Sequence, residues 1–323
     1  MSRTIAVADV GGTHARFALA EVAEGRVVSL GEPVTLKTAD HASFQIAWQE
    51  FGRIAAVDLP DALGMAFAGP VGGEVLKLTN NPWVIRPFLM KERLGVREYK
   101  IVNDFGAIAH AVAQFGPEQF DHLCGPDGPM PATGVTTVIG PGTGLGVAQL
   151  LKTGDGYHVI ETEGGHIDFA PLDALEDKIL AYLRRNFRRV SVERIASGGG
   201  LVNLYHAIAS IEDHPVPHPD DKAIWAAAME ATDPLAIAAL DRFFLSLGAV
   251  AGDLALAHGS NAVVIAGGLG YRLKDRFATS GFADRYIAKG RFERRMEGIP
   301  VKLLNHPQPG LYGAAAAFAQ EFA

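Results

Sequence analysis

Cysteine is almost absent from this chain. Cys124 is the only one among 323 residues, so neither a disulfide framework nor a cysteine-based zinc site can form within the chain. A reducing compartment fits this usage, and we expect a cytoplasmic protein. The first residues also lack a charged segment followed by an apolar stretch and a small-residue cleavage site, so no secretory signal is predicted.

An excess of positive charge is missing as well. The chain has 29 Lys and Arg residues against 36 Asp and Glu residues, which gives a formal net charge of −7. The densest basic cluster is Arg184-Arg185 with Arg188-Arg189. Nucleic acid is therefore a poor candidate partner, and we expect no nucleic-acid binding.

Long uncharged apolar runs are the third absence. The longest apolar helix candidate, residues 234–257, contains Asp241, Arg242 and Asp253, so we expect no membrane span. Apolar residues nevertheless make up 48% of the chain, which is the balance of an ordinary globular protein. The length predicts one large or two medium domains with a packed core.

A glycine-tipped β-hairpin is predicted over residues 5–20. The run Ile5-Ala-Val-Ala-Asp9 is a hydrophobic strand, Gly11-Gly12 forms the turn, and a strand with alternating polarity follows from Arg16. Asp9 and Thr13 flank the glycines, so the turn offers backbone N–H groups, a carboxylate and a hydroxyl. These groups are the parts of a phosphate-binding cradle.

A second hairpin of the same kind is predicted over residues 136–150. It again consists of a strand, the turn Gly140-Pro-Gly-Thr-Gly-Leu-Gly146 with Thr143, and a strand. One such hairpin is weak evidence for a nucleotide site, and two are much stronger.

Other polar residues follow predicted strands or turns. A buried strand over residues 61–68 ends at Gly69-Pro70, which places this turn either near a ligand or simply at a strand end. The loop Thr79-Asn-Asn-Pro-Trp83 is explained by turn chemistry. Asp104 follows a short strand and precedes a helix, where an isolated Asp is most often a helix N-cap.

A polar loop at Glu163-Gly-Gly-His166 is the best candidate for a ligand clamp. The glycine pair lets the Glu163 and His166 side chains converge on one small polar ligand. Asp168 could add a metal ligand, but no second histidine lies nearby and no HExxH spacing exists, so metal ligation there is not expected.

The remaining chain is predicted as follows. Residues 26–36 form a third strand, 41–52 a helix, 116–133 a connection, and 173–187 a helix capped by Asp173. Ser197 or the following glycines begin another helix near Leu201, and Asp233 caps a helix that ends near Gly259. Residues 261–266 form a buried strand, 281–297 a peripheral polar segment, 299–304 a last strand and 310–322 an alanine-rich helix.

Taken in order, these motifs resemble the bacterial ATP-dependent glucokinases of the hexokinase and actin superfamily. The matching runs are Asp9-Val-Gly-Gly-Thr13, Asn103-Asp-Phe105, Gly140–Gly146, Glu163-Gly-Gly-His-Ile-Asp-Phe169, Glu193-Arg-Ile-Ala-Ser-Gly198 and Val264-Ile-Ala-Gly-Gly268. They cover nearly the whole chain. Family members commonly have Asn where His14 stands and Pro where Gly199 stands.

The resemblance implies a fold and its domains. We expect a two-lobed α/β fold of actin- and hexokinase-like (ribonuclease H-like) domains with an interdomain cleft. Residues 1–113 with 306–323 would form a small domain, and residues 114–305 a large one, with the last helix packing back on the small domain. A homodimer is one expectation for the oligomeric state, which the sequence leaves open.

The resemblance also implies a reaction and its residues. ATP with Mg²⁺ would phosphorylate the 6-hydroxyl of glucose, the first step of glycolysis, with Asp104 as general base. Glucose would be bound by Asn103, Asp104, Glu163, His166, Glu193, Gly69 and Pro70. The nucleotide would be bound by Ala8, Asp9, Val10, Gly11, Gly12, Thr13, Gly140, Gly142, Thr143, Gly144, Gly198, Gly267 and Gly268, and Asp9 would hold Mg²⁺ through water.

Three other functions are consistent with parts of this pattern. A kinase for another hexose or an N-acetylhexosamine would share the hairpins and the base, and a panel of sugars separates it. A sugar-responsive regulator would need a helix-turn-helix extension and a basic face, and we expect neither because the first strand begins at residue 5. An actin-like filament ATPase would have no use for the Glu163 and His166 clamp.

Overall fold

The structure is a computed structural model that describes residues 2–78, 81–218 and 220–323. Contacts divide the chain into two compact units. The first unit contains the chain up to Gly116, the segment Val159–Glu161, and His306–Ala323; the second contains Pro117–His158 and Thr162–Asn305. The assignment of functional domains made from the sequence stays a prediction. Thr79 and Asn80 of the predicted Asn-Pro loop lie outside the described residues.

The first unit is an α/β layer structure. Its strands are β1 Arg3–Val10, β2 His14–Ala23, β3 Arg26–Leu30, β4 Val34–Lys37, β5 Ala62–Phe67, β6 Leu76–Lys77, β7 Val84–Ile85 and β8 Glu98–Asn103. Its helices are α1 Phe44–Ala55, α2 Met90–Leu94, α3 Asp104–Gln114 and, from the end of the chain, Pro309–Phe322.

The main sheet of the first unit has the order β3-β2-β1-β5-β8, and β4 also pairs with β2. The β1 and β2 strands are antiparallel, whereas β1, β5 and β8 are parallel. One face of the sheet packs against α1 through rings of Phe17, Phe44, Trp48 and Phe51. The terminal helix Pro309–Phe322 packs with its alanines against β1, β5 and α3, as the resemblance implied.

The second unit repeats this plan. Its strands are β9 Phe120–Cys124, β10 Gly134–Pro141, β11 Leu145–Thr153, β12 Gly156–Thr162 (of which Val159–Glu161 groups with the first unit), β13 Ala262–Ile265 and β14 Val301–Leu304. Its helices are α4 Ala174–Leu183, α5 Gly198–Ile211, α6 Asp221–Glu230, α7 Pro234–His258, α8 Gly267–Arg272, α9 Phe282–Ile287 and α10 Glu293–Glu297, so the terminal helix is α11. The sheet order is β12-β11-β10-β13-β14-β9.

Helix N-termini in the second unit begin where their capping residues predict. Asp173 accepts bonds from the N–H groups of Leu175 and Glu176, and Ser197 accepts one from Gly200. Asp233 accepts one from Leu235, with Pro234 at the first helical position. Each cap satisfies backbone donors that have no intrahelical partner.

The long helix α7 is a core helix. Among the described residues, it is the helix that is long and apolar enough to cross a membrane, with a mean hydropathy of 1.6. The sequence argument took the charges at Asp241, Arg242 and Asp253 to exclude a membrane span. By themselves, these charges do not exclude one. However, 72% of its apolar window is buried inside the protein, which is typical of a helix that packs within a globular core.

Three local predictions were wrong. Residues 26–36 form two strands, β3 and β4, because the chain turns between them at Gly31-Glu-Pro33. Residues 116–133 contain β9, which pairs with β14 at the sheet edge. Residues 281–297 are not peripheral, because Phe282, Tyr286 and Met296 are buried in the core.

Candidate active site

Three parallel strands of the first unit end at one edge of its sheet. Val10 lies opposite Phe67, and Phe67 lies opposite Asn103, so β1, β5 and β8 finish side by side. Asp9, Gly69 and Asp104 are all within two residues of these ends. The carboxyl edge of parallel strands is where α/β sheets bind ligands.

Asn103, not Asp104, is the N-cap of α3. The Asn103 side-chain oxygen accepts bonds from the N–H groups of Phe105 and Gly106, and its Nδ2 donates to the Gly69 carbonyl at 3.2 Å. Asp104 is the first residue of the helix, and its Oδ1 lies 3.0 Å from the Phe105 nitrogen. The capping explanation for Asp104 therefore fails, because its neighbour performs that task.

The first hairpin tip is anchored through its carbonyl groups. The Gly11 N–H donates to the His14 carbonyl at 3.0 Å. The Gly12 carbonyl accepts bonds from Thr38 Oγ1 at 2.7 Å and from Asn81 Nδ2 at 3.0 Å. Because N–H and C=O point in opposite directions across a trans peptide, the Thr13 N–H points away from these anchors and can face a ligand.

Asp9 lies beside this tip with two neighbours. Arg16, its cross-strand partner, approaches the Asp9 carboxylate at 3.4 Å, and Gly310 of α11 leaves room for it, since a Cβ there would lie 2.9 Å from the Asp9 Cγ. Burial raises the pKa of the Asp9 carboxyl, and Arg16 offsets only part of that rise. A second cation near Asp9 would therefore stabilise its charged form.

This setting fits a Mg²⁺ ion that is mostly bound by phosphate and water. Within the residues that the structure describes, no group of three or more His, Cys, Asp or Glu side chains could hold a metal. Mg²⁺ in phosphoryl-transfer sites typically takes only one or two protein carboxylates, with substrate phosphates and waters as its other ligands. Asp9, which keeps 23% of its side-chain surface exposed, can supply such a contact.

The second hairpin tip is anchored in a different way. The Leu145 N–H donates to Glu193 Oε2 at 3.0 Å, and the Gly198 N–H donates to the Gly142 carbonyl at 2.8 Å. A Cβ on Gly144 would lie 2.3 Å from Glu193 Oε2, so a larger residue there would displace the Glu193 carboxylate. The tip is thus joined to the segment that begins α5.

The clamp residues predicted in the second unit come together. His166 Nε2 lies 3.9 Å from Glu163 Oε2, and His166 Nδ1 lies 4.0 Å from Glu193 Oε1. The turn that carries them packs tightly on β11, since a Cβ on Gly165 would lie 1.9 Å from the Leu145 carbonyl oxygen. The imidazole and the two carboxylates can together bind several hydroxyl groups.

Several glycines in the predicted nucleotide set have no internal reason to be glycine. A Cβ on Gly12, Gly142 or Gly268 would meet no atom within 4 Å, and none of the three has a positive φ. Glycine at such positions fits a ligand that approaches the backbone closely. Gly267 is different, because its φ is +84°.

A cavity of about 230 Å³ lies beside the second hairpin, lined by Thr143, Glu193, Ser197 and Gly199 among others. The N-terminus of α5 opens at this cavity, and a helix N-terminus favours anions.

The other predicted residues have simpler positions. Ala8 and Val10 are fully buried in β1, so they can act only through the backbone. Gly140 is buried at the end of β10, and Pro70 is exposed after β5.

Sequence reasoning missed Arg16, Thr38, Asn81 and Gly310. Arg16 could have been found as the cross-strand partner of Asp9 in the predicted hairpin. The other three give no local signal, because each acts on residues far away in the chain.

The comparisons with known proteins identify one family. The sequence model described as Glucokinase matches residues 6–321. The glucokinase of Zymomonas mobilis is 60% identical over 318 residues, covering 98% of each chain. A crystal structure of glucokinase from an Antarctic psychrotroph matches with a TM-score of 0.85 at 33% identity, over 98% of both chains.

A more distant structure shows the shared fold. A ROK family glucokinase from Streptomyces griseus, in complex with glucose and AMPPNP, matches with a TM-score of 0.60 at 23% identity, covering 97% of this chain and 98% of that one. Together with the psychrotroph structure, it confirms the α/β fold class of hexokinases and actin. The chain belongs to the glucokinase family.

Proposed function

We propose that this chain is a glucokinase, which transfers the γ-phosphate of ATP to the 6-hydroxyl of glucose and forms glucose 6-phosphate and ADP. Family membership and the 60% identity to the Zymomonas mobilis glucokinase support this activity. The observation that carries the proposal is the position of Asp104. It follows directly after the end of β8, at the same edge of the sheet as the end of β1 that carries Asp9, and the capping task falls to Asn103.

Asp104 is the general base in this proposal. Phosphoryl transfer depends mainly on positioning and on charge stabilisation, and the attacking hydroxyl has to lose its proton as the new P–O bond forms. Asp104 accepts that proton. Asn103 keeps its amide fixed between α3 and Gly69, so it can bind a neighbouring sugar hydroxyl without reorganisation.

The second unit contributes the sugar clamp. His166 lies within 4.0 Å of both Glu163 and Glu193, and these three side chains would hold the remaining hydroxyls of glucose. A sugar that lacks or inverts one of these hydroxyls leaves a polar side chain without its partner, which costs roughly 1–3 kcal/mol per bond. This term sets the specificity among hexoses.

The nucleotide is held by backbone groups. The Thr13 N–H of the first hairpin and the Gly142 to Gly144 turn of the second bind phosphate oxygens, and Gly267 and Gly268 allow close approach of the nucleoside. Mg²⁺ would neutralise charge on the transferred phosphate, and Asp9 is the residue that would hold it, through water. ATP as donor, Mg²⁺ as metal and a cytoplasmic location are parts of the proposal.

A panel of sugars and phosphate donors tests the proposed function. Glucose, fructose, mannose and N-acetylglucosamine are each supplied with ATP, ADP or polyphosphate, and both sugar phosphate and spent donor are quantified. We expect the kcat/KM for glucose with ATP to exceed that of the other combinations by at least about tenfold, because another sugar would lose at least one hydrogen bond in the site. Higher kcat/KM for another sugar would instead indicate the alternative, a kinase for that hexose or N-acetylhexosamine.

A further inference from the structure

Glu161 is a charged residue that the proposed reaction does not use. It lies near the end of β12, in the short segment Val159–Glu161 that groups with the first unit. Two residues later the chain reaches Glu163 of the sugar clamp. Although Glu161 is an exposed residue, one end of its side chain makes a specific contact.

That contact is with the residue that caps α3. The Glu161 Oε1 accepts a hydrogen bond from the Asn103 N–H at 2.6 Å. The same side chain lies against Gly106, where a Cβ would be 2.6 Å from Oε1 and 2.8 Å from Cγ. Glu161 therefore occupies the space that any side chain at position 106 would need.

The arrangement has the logic of a capping box. In a capping box the N-cap side chain bonds the N–H at position N3, and the N3 side chain, Glu or Gln, bonds the N–H of the N-cap. Asn103 performs the first half, because its side chain accepts from the Gly106 N–H. Gly106 stands at N3 and has no side chain, so Glu161 supplies the second half from a distant strand.

Burial affects the carboxyl group of Glu161 even though the residue as a whole is exposed. Burial raises the pKa of the Glu161 carboxyl, while the Asn103 N–H and the nearby Lys100 lower it in part. Lys100 is itself paired with Glu321. A carboxylate at the first turn of a helix is also favoured by the helix dipole.

We propose that Glu161 is a positioning residue for phosphoryl transfer, because it fixes the backbone at Asn103 and so orients both the Asn103 amide and the Asp104 carboxylate. Glu161 holds the main chain of Asn103 through the Asn103 N–H, while the Asn103 side chain is held by its own bonds to α3 and Gly69. Asp104 is the next residue, so its position depends on the same backbone. A shift of the first turn of α3 would misplace the general base, and such misplacement is costly for catalysis. The inference rests on the proposed function for its kinetic part only.

Four variants test this role: Glu161→Ala, Glu161→Gln, Glu161→Ala with Gly106→Glu, and the control Glu32→Ala, an exposed glutamate between β3 and β4. Gln keeps an acceptor oxygen, so Glu161→Gln should stay within about threefold of wild type. Glu161→Ala should lower kcat with glucose by about tenfold, as expected for loss of one such bond, with the KM for ATP unchanged. Glu32→Ala should have no effect.

The double variant, Glu161→Ala with Gly106→Glu, gives the most specific test. Removing Glu161 frees the space over Gly106, and a glutamate at position 106 can then complete a local capping box. We expect it to recover most of the lost kcat. The proposal is overturned if all proteins fold with wild-type Tm and both the double variant and Glu161→Gln have a kcat as low as that of Glu161→Ala. It is also overturned if the kcat of Glu161→Ala lies within twofold of wild type.

Hydrogen exchange separates this inference from the proposed function. The amide of Asn103 should exchange at least tenfold faster in Glu161→Ala than in wild type, whatever substrate the enzyme uses. Inactivity of the wild-type enzyme with glucose would contradict the proposed function, while unchanged exchange at Asn103 would contradict the contact itself. Faster exchange with unchanged kcat would reduce Glu161 to a structural role and overturn the positioning role.

Discussion

The two units share one sheet topology but carry different side chains at equivalent strand ends. In the first, an antiparallel hairpin, β1 and β2, is followed outward by the parallel strands β5 and β8. In the second, the hairpin β10 and β11 is followed by β13 and β14 in the same way. Equivalent positions in the two sheets can therefore be compared directly.

The strand ends differ in their chemistry. Asp9, the penultimate residue of β1, corresponds to Gly140 in β10, and Asp104, just after β8, corresponds to Asn305, just after β14. The second unit places its acids elsewhere, at Glu163 and Glu193 beyond the sheet. The first unit thus carries the charges that we assign to the transfer step, and the second carries those that we assign to sugar binding.

The two hairpin tips also differ in how they are held. The first is held by donors, Thr38 and Asn81, that bind a carbonyl. The second is held in part by an acceptor, Glu193, that binds an N–H. Because Glu193 also approaches His166, the second tip is connected to the proposed sugar clamp, whereas the side chains that bond the first tip within the described residues, Thr38 and Asn81, are outside the proposed sugar set. Changes at the second tip should therefore affect sugar binding, whereas changes at the first tip should not do so directly.

Removal of the charge at Asp9 should have the largest effect on the first hairpin. Asp9→Asn keeps the size of the side chain but removes its charge, so we expect kcat to fall on the order of a hundredfold, as for loss of one preorganised electrostatic contact. The Mg²⁺ concentration needed for half-maximal rate should rise. Gly140→Ala, at the position of β10 that corresponds to Asp9 in β1, is the comparison variant. A kcat of Asp9→Asn within threefold of wild type at all Mg²⁺ concentrations contradicts this role.

The two units should also lose stability in different pH ranges. Burial, with a smaller effect of Lys100, lowers the pKa of His110 in α3 to about 4, whereas an unfolded histidine titrates near 6.5. The stability contributed by neutral His110 is therefore complete above pH 6.5. It is lost between that pH and about 4, by roughly 1.4 kcal/mol per pH unit.

Asp173 gives the second unit a lower range. Burial alone would raise its pKa, but the Glu176 N–H and the guanidinium groups of Arg242 and Arg285 outweigh that effect and hold it below its usual value. Its contribution is present above pH 4 and is lost only below it. Hydrogen exchange at pH 7, 5.5 and 4.5, corrected for intrinsic rates, should show α3 losing protection before α4. In the His110→Gln variant, α3 should no longer lose protection before α4. If the protection of α3 depends on pH equally in wild type and in His110→Gln, His110 does not cause the effect.

Glycine substitutions should separate ligand contact from internal packing. Gly12→Ala and Gly142→Ala place a methyl group in open space, so they should leave Tm unchanged and raise the KM for ATP by about tenfold, equivalent to one lost hydrogen bond. Gly144→Ala should displace Glu193 instead, which lowers Tm and raises the KM for glucose. If all three variants change only Tm, the open glycines are not nucleotide contacts.

The sequence predicted the features that depend on neighbouring residues. Alternating polarity and paired glycines identify both hairpins, and the caps at Asp173, Ser197 and Asp233 follow from residues within one helical turn. The order of motifs predicted the family, which the comparisons confirm. The individual site residues stay predictions.

The remainder depends on contacts between distant residues. The strand β9 has a mixed polar sequence and exists because it pairs with β14, and Phe282 is buried because α9 packs on α7. Thr38, Asn81 and Gly310 reach the first hairpin from 26, 69 and about 300 residues away. No local pattern identifies such residues, since their roles follow from the tertiary fold.

The most direct measurement compares glucose binding and turnover in Asp104→Asn. Calorimetry with glucose should give a Kd within about fivefold of wild type, because Asn keeps one hydrogen-bonding oxygen, while kcat should fall on the order of a thousandfold without its base. Asp58→Asn, an exposed aspartate of the same unit, should retain full activity. A kcat for Asp104→Asn within tenfold of wild type would contradict the claim that the end of β8 carries the general base.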